Sequence, residues 1–377
     1  MTRVLLAPDK FKGTLTAREV ADHLAEGIAS VRPDVVLVTV PVADGGDGTL
    51  AAAVAAGFTR HEMVTAGPTG EPVATAFGRR GTEAVVELAV ASGLARLPGG
   101  PAPLTASSWG TGDLIRAALD GGCSRIIVGI GGSAGTDGGA GMACALGARI
   151  LDASSAPVAR GGAALADADS LDLSGLHPGL ATATVLVASD VDNPLLGPRG
   201  AAAVYGPQKG ATSQQVVLLD AAMSRWADLV AGTTGEDHRD DPGAGAAGGV
   251  GFGAVALLGG RLEPGVDLIL ALTGFHDQLA GTDLVVTGEG SLDEQTLHGK
   301  APVGVAAAAR AAGIPVVAVA GQVLLGDGAL RAAGISAAYP LTELSDDPME
   351  LFTRPGPLLS LIGARIAREH LGEEERG

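Results

Sequence analysis

The stretch DLVVTGEGSLDEQTLHGKAPVGVAAAARAAGIPVVAVAG, residues 283–321, decides how this chain folds. It reads as a buried strand, a charged turn-rich segment, a helix (APVGVAAAARAAG) and a second buried strand (PVVAVAG). The same rhythm opens the chain. TRVLLAPD is a strand, and TAREVADHLAEGIASV is a helix with Val20, Leu24 and Ile28 on one face. VVLVTVPVAD is a second strand, and GTLAAAVAAG a second helix closed by Gly57. Between these two regions the rhythm differs. From about His61 to Leu97 the turn pairs Gly67-Pro68, Thr69-Gly70 and Arg80-Gly81 separate short alternating runs, the pattern of antiparallel hairpins.

The expectation is an α/β protein. Strands over 3–8, 35–40, 284–287, 315–320 and 336–340 form a flavodoxin-like, doubly wound parallel sheet of order 2-1-3-4-5. Residues 1–61 and 283–377 make this domain, and 62–282 make a second α/β domain inserted into it. Strands one and three are neighbours at the topological switch point, where ligands bind beyond the strands' carboxyl ends. Asp9, Lys10 and Lys12 leave one of those ends; Glu289, Ser291 and Asp293 leave the other. The charge behind the apolar run Leu284-Val285-Val286 therefore marks a site. The acidic tail after the last helix, LLSLIGARIAREHL, is expected to fray.

Composition narrows the function. A formal net charge of -17 argues against nucleic acid as a partner, while leaving room for a small anionic substrate held by a few lysines. Cys123 and Cys144 are too few for a disulfide framework or a cysteine zinc site. The opening MTRVLLAPDKFKG is broken by charge and does not read as a signal peptide. Residues 243–260 are uncharged but glycine-rich, which suits a loop leading into a buried helix better than a membrane span. The chain is expected to be soluble and cytoplasmic, with no membrane partner. Its 59 glycines far exceed the usual ~7% and cluster at turns, where backbone can approach a ligand.

Several motifs carry candidate chemistry. APDKFKGT sets Lys10 and Lys12 before a helix start, suited to phosphate or carboxylate, though two surface lysines would look the same. VADGGDGT offers Asp44 and Asp47 as helix cap, ligand, or both. GIGGSAGTDGGAGM is dense enough in glycine to cradle phosphates through its backbone N–H groups, with Ser133 and Thr136 adding hydroxyls. Gly129 to Ala134 also fits G-x-G-x-x-A with Asp152 downstream, a nicotinamide-dinucleotide pattern. Asp137 and the pair Gly138-Gly139, where the phosphate-binding helix should begin, oppose that second reading. SDVDNPLLG brings Asp190, Asp192 and Asn193 within four residues, enough for Mg²⁺ and a general base, or for an Asx-turn. Lys209 in GPQKGAT and the hydroxyls of SWGTGD read, each alone, as turn and capping chemistry.

Taken in order, APDKFKGTLTA, PVADGGDGT, SSWGTGDLI, GIGGSAGTDGGAGM, SDVDNPLLG, YGPQKGA, PGAGAAGGVGFG and TGEGSLDEQTLHGKAPVGVA resemble the motifs of the bacterial glycerate kinase family (type 1). The resemblance runs from residue 3 to about 370. It departs from the family at Lys10, commonly Ser, and at Thr136-Asp137, commonly Asn-Asp. It implies a two-domain α/β kinase that phosphorylates D-glycerate with ATP and Mg²⁺ in the cleft between its domains. The product would be 2- or 3-phosphoglycerate, the former ahead. A kinase of another small hydroxy acid fits the same features, and a nicotinamide dehydrogenase fits fewer. On this reading Asp190 is the base, and Lys12 and Lys300 neutralise phosphate or substrate charge. Asp9, Asp44 and Ser291 contact the substrate, and Asp192 and Glu289 hold the metal. Gly131, Gly132, Ser133, Thr136, Asp137 and Gly138 cradle the nucleotide. The sequence is compatible with a homo-oligomer and specifies none.

Overall fold

The computed structural model describes residues 2–372; the tail expected to fray, 373–377, lies outside the described residues. Two compact units emerge: Met1–Asp44, Ala51–Ala56 and Val266–Gly377 form the first, and Gly45–Leu50 with Gly57–Gly265 form the second. In chain order the strands are β1 (Arg3–Pro8), β2 (Val36–Thr39), β3 (Thr59–Ala66), β4 (Pro72–Arg80), β5 (Glu83–Glu87), β6 (Arg125–Gly129) and β7 (Arg149–Leu151). There follow β8 (Ser170–Asp172), β9 (Thr184–Ala188), β10 (Arg261–Glu263), β11 (Leu284–Leu292), β12 (Val316–Val323) and β13 (Ala337–Pro340).

The first unit is built on a five-stranded sheet of order β13-β12-β11-β1-β2. Every neighbouring pair in it is parallel. Counted within that unit this is the expected flavodoxin-like order, with β1 between β2 and β11. Parallel strands are buried on both faces, so they read as unbroken apolar runs. In β1 the side chains alternate: Val4 and Leu6 join one core, Leu5 and Ala7 the other. The first core is closed by helices Ala17–Val31 and Pro355–His370. These two touch backbone to backbone, since a Cβ on Gly27 would lie 1.9 Å from the Ser360 carbonyl oxygen. Thr16 and Glu19 cap the first of them reciprocally. The opposite core is covered by helix Ala301–Ala311 through Val305, Ala306 and Ala309.

The second unit holds a six-stranded sheet of order β10-β9-β6-β5-β4-β3. Its β3, β4 and β5 are the antiparallel hairpins that the turn pairs announce, and β5, β6, β9 and β10 run parallel. A small antiparallel pair, β7 with β8, stands apart. The 22-residue helix Ser213–Thr234 buries Trp226 in this unit's core. The glycine-rich run near residue 245 forms the helix Ala246–Leu258, entered through a left-handed turn at Ala247, Gly248 and Gly249. No helix among the described residues is long and apolar enough to cross a membrane.

Candidate active site

In the first unit, charge gathers where β1, β2 and β11 end. The apolar run predicts a strand over 284–287, yet β11 continues to Leu292 because Ser291 and Leu292 pair with Gln322 and Val323 of β12. β1 leaves the sheet sooner, its last pairing being Pro8 with Gly288. Glu289 and Ser291 therefore stand on the strand itself, one side chain apart on the same face, and not in a loop after it. The Asp9 N–H donates to the Gly288 carbonyl at 2.8 Å, and the Val42 N–H to that of Pro8 at 3.1 Å, which draws the chain carrying Asp44 alongside. A Cβ on Gly290 would lie 3.6 Å from the backbone nitrogen of Lys12. Lys12 itself is exposed, at the tip of a turn closed by the Phe11 N–H and the Leu15 carbonyl.

Electrostatics set this cluster apart. Asp9 and Glu289 are only 8% and 6% exposed. Burial pushes the Asp9 carboxyl up to about 7; the Lys10 ammonium opposes that rise, and the Asp44 and Glu289 carboxylates add to it. Burial also raises Glu289, against the Thr296 hydroxyl and the Lys300 ammonium. Lys300 Nζ donates to Glu289 Oε2 at 3.3 Å and lies 3.9 Å from Asp293. Ser291 Oγ accepts from Gln322 Nε2 at 3.3 Å. Asp9, Asp44, Glu289, Ser291, Lys300 and the Lys12 backbone are thus brought together. Carboxyls raised chiefly by burial, with neighbouring carboxylates adding to the rise, are a mark of functional sites.

The raised Asp9 value makes a stability prediction. From its ordinary value of 3.8 up to about 7, folded Asp9 keeps a proton that the unfolded chain has lost. Stability contributed by the protonated form is therefore lost as pH rises through that window. In chelator-treated protein, Asp9→Asn should stabilise the fold at pH 8 by about a few kcal/mol, read as a higher urea midpoint, and leave the midpoint unchanged at pH 3.5. Equal midpoints at pH 8 would count against the buried, crowded carboxyl.

In the second unit, Asp190 stands exposed just after β9 and its Oδ1 accepts the Gly265 N–H at 2.8 Å. Asp192 is drawn to Arg199 Nη2 at 3.2 Å. The Asn193 amide is held between the Arg199 carbonyl, 2.8 Å, and the Tyr205 hydroxyl, 2.6 Å. Asp192 and Asn193 thus belong to a local loop network, in which the exposed ion pair adds little stability.

The glycine loop after β6 turns inward. Gly132 is exposed and Gly131 half-buried, whereas Ser133, Thr136, Asp137 and Gly138 are buried. Asp137 Oδ2 accepts from the Ser107 and Ser108 hydroxyls, at 3.1 and 3.0 Å, and from the N–H groups of Ser108 and Gly141, at 2.7 and 3.3 Å. Its Oδ1 takes the Gly139 N–H at 3.2 Å. This carboxylate organises the loop and the start of helix Ala140–Ala145, and Gly131 and Gly132 alone among the six expected nucleotide contacts reach the surface. The loop also fails the nicotinamide pattern. Asp152 follows β7, which pairs with β8 and stands outside the six-stranded sheet, and its carboxylate is taken up by Ser154 and Ala156 of its own turn. Lys209, which the sequence reads as turn chemistry, is fully buried under this loop.

The glycerate kinase family profile matches residues 4–371, through both units. The chain belongs to that family. It is 46% identical over 343 residues to a glycerate kinase of Bacillus subtilis, covering 90% of each chain. It is 43% identical over 342 residues to the glycerate 2-kinase of Escherichia coli, covering 89% of this chain and 90% of that one. A crystal structure described as that of a glycerate kinase 2 from Salmonella typhimurium LT2 superposes with a TM-score of 0.85 at 40% identity, over 97% of both chains. Membership of the glycerate kinase family makes the protein a phosphotransferase acting on an alcohol group, with ATP as co-substrate.

Proposed function

We propose that this protein transfers the terminal phosphoryl group of ATP to a hydroxyl of D-glycerate, with Mg²⁺, as a cytoplasmic enzyme of small-molecule metabolism. The observation that carries the reading is the cluster of Asp9, Asp44, Glu289, Ser291 and Lys300 at the sheet's carboxyl edge, in a chain of this family. Phosphoryl transfer needs positioning, neutralised charge and a proton acceptor, and little covalent chemistry from the protein. Lys300 and Lys12 supply positive charge for phosphate and for the glycerate carboxylate. Asp9, Asp44 and Ser291 hold the substrate hydroxyls, and Asp190, oriented by the Gly265 N–H, accepts the proton of the attacking one. Gly131 and Gly132 offer backbone to the nucleotide.

The donors fit a hard cation. Asp9 and Glu289 are buried oxygen donors whose carboxyls are raised by burial, Glu289 also meeting the Lys300 ammonium, and Asp192 is a third, separate carboxylate beside Arg199. No group of three or more His, Cys, Asp or Glu side chains is arranged to hold a metal among the described residues. Mg²⁺ is usually held by one or two carboxylates together with substrate phosphates and water. Bound there by Glu289 or Asp192, it would neutralise charge on the phosphates.

Of the two hydroxyls, the 2-position is favoured by the 43% identity to a protein named glycerate 2-kinase. Phosphorus NMR of the product, run without proton decoupling, tests activity and position together. Phosphate on the single-hydrogen carbon gives a doublet, and on the methylene carbon a triplet. No new ester resonance with MgATP and D-glycerate would remove the proposal.

A further inference from the structure

The proposed reaction leaves the buried charge of one lysine, Lys209, without a role. Lys209 is 1% exposed, and an ammonium in that position is costly unless hydrogen-bonded and opposed by negative charge. The short turn Pro207–Lys209, closed by the left-handed Gly210, delivers it beneath the glycine loop. Its Nζ donates to Ser133 Oγ at 2.8 Å and to the Gly135 carbonyl. The left-handed turn at Ala247–Gly249 closes over the same place: a Cβ on Gly248 would lie 2.1 Å from the Gly135 oxygen and 2.8 Å from Nζ. Beside it, the Gly138 N–H donates to the Gly248 carbonyl at 3.0 Å, and Trp226 Nε1 to the Gly138 carbonyl at 3.1 Å.

Two carbonyls of the loop, Gly135 and Gly138, are therefore pulled inward, one of them by a cation. That removes the negative ends of these dipoles from the outer face of the loop and adds positive charge beneath it. Both changes favour an anion at Gly131 and Gly132. The charged group opposing Lys209 is Asp137, on the loop itself. Helix Ala246–Leu258 carries no ionisable side chain and contributes Gly248.

We propose that Lys209 is a positioning residue for the nucleotide: its ammonium locks the glycine loop and charges it from below, so that nucleotide binding depends on the proton Lys209 carries. This rests on the reading of that loop as the nucleotide site. Burial pulls the Lys209 ammonium down to about 7, with Asp137 opposing the fall. A polyanion bound above the loop raises that value again. The Lys209 contribution to affinity is accordingly present below pH 7 and fades as pH rises through and beyond it.

The test is ADP binding to the whole protein by calorimetry from pH 6 to pH 9, for the parent and for Lys209→Met. ADP titrates on its own account in both proteins, so the difference between them isolates Lys209. The expected difference is about tenfold at pH 6, the loss of one buried charged hydrogen-bonding group, shrinking towards none at pH 9. KM for D-glycerate should not change. Amide hydrogen exchange across 131–135, with and without ADP, is read in parallel. If ADP protects these amides yet the two proteins bind alike, or differ equally at every pH, the role of Lys209 is refuted. If ADP leaves them unprotected, the nucleotide reading of the loop fails first and the proposal falls with it. Should the variant not fold, proton uptake by the parent on binding ADP at pH 7.5, compared between two buffers of different ionisation enthalpy, decides; no uptake overturns the proposal.

Discussion

Asp190→Asn is expected to lower kcat for glycerate phosphorylation by about a hundredfold to ten-thousandfold, the range a positioned general base contributes. Asparagine keeps an Oδ1 that can accept the Gly265 N–H, so the side chain stays where the 2.8 Å hydrogen bond holds the aspartate. What it loses is the capacity to take a proton. KM for ATP should be little changed, because the substitution touches no nucleotide contact in the proposed scheme. Steady-state kinetics with D-glycerate, together with ATP hydrolysis in its absence, separate the possibilities. Turnover near the parent rate would remove the assignment. A loss confined to KM for glycerate would make Asp190 a binding group.

The largest effect on stability is expected from Asp137→Ala. Five donors converge on that buried carboxylate: two hydroxyls and three backbone N–H groups. One of them, Ser108 Oγ, also accepts the Met142 N–H at 2.9 Å, so the network reaches into the following helix. Alanine would strand these groups away from water. The cost should be about 3–5 kcal/mol, as for other broken buried networks. For a body of roughly two hundred residues that corresponds to a midpoint lower by about ten degrees. Asp137→Asn retains one acceptor oxygen and should fall between the two. A melting temperature for Asp137→Ala within about two degrees of the parent would contradict this account.

Much of the first unit was legible because parallel, doubly covered strands must be unbroken apolar runs, and five such runs carry helices between them. The hairpins were legible from their turn dipeptides. The extension of β11 was not, since its last pairings join Ser291 with Gln322 and rest on the neighbouring strand, not on its own composition. Helix Ser213–Thr234 escaped notice because exposed Val217 and Leu218 blur its apolar stripe; the capping box of Thr212 and Gln215 was the available signal.

The site divides in the same way. Asp9, Asp44 and Glu289 could be placed near one sheet edge by topology, because the apolar runs they follow in the sequence belong to adjoining strands. Of the six residues expected to cradle the nucleotide, Gly131 and Gly132 alone reach the surface. In composition, an aspartate that caps a loop and one that lines it look alike, and only burial separates Asp137 from Gly132. Lys209 was hidden for the converse reason. A lysine between proline and glycine reads as surface, and nothing local reveals that Ser133 and Gly135 will come to lie over it.

The interior position of β1, between β2 and β11, also matters while the protein is being made. The Thr287 hydroxyl donates to the Ala7 carbonyl across 280 residues of chain. At roughly 5–20 residues per second, a ribosome needs on the order of fifteen seconds to a minute to supply that third strand. Throughout that interval the emerging amino-terminal segment has one flank bare, so newborn chains should engage holding chaperones, and messages truncated before codon 284 should yield aggregates.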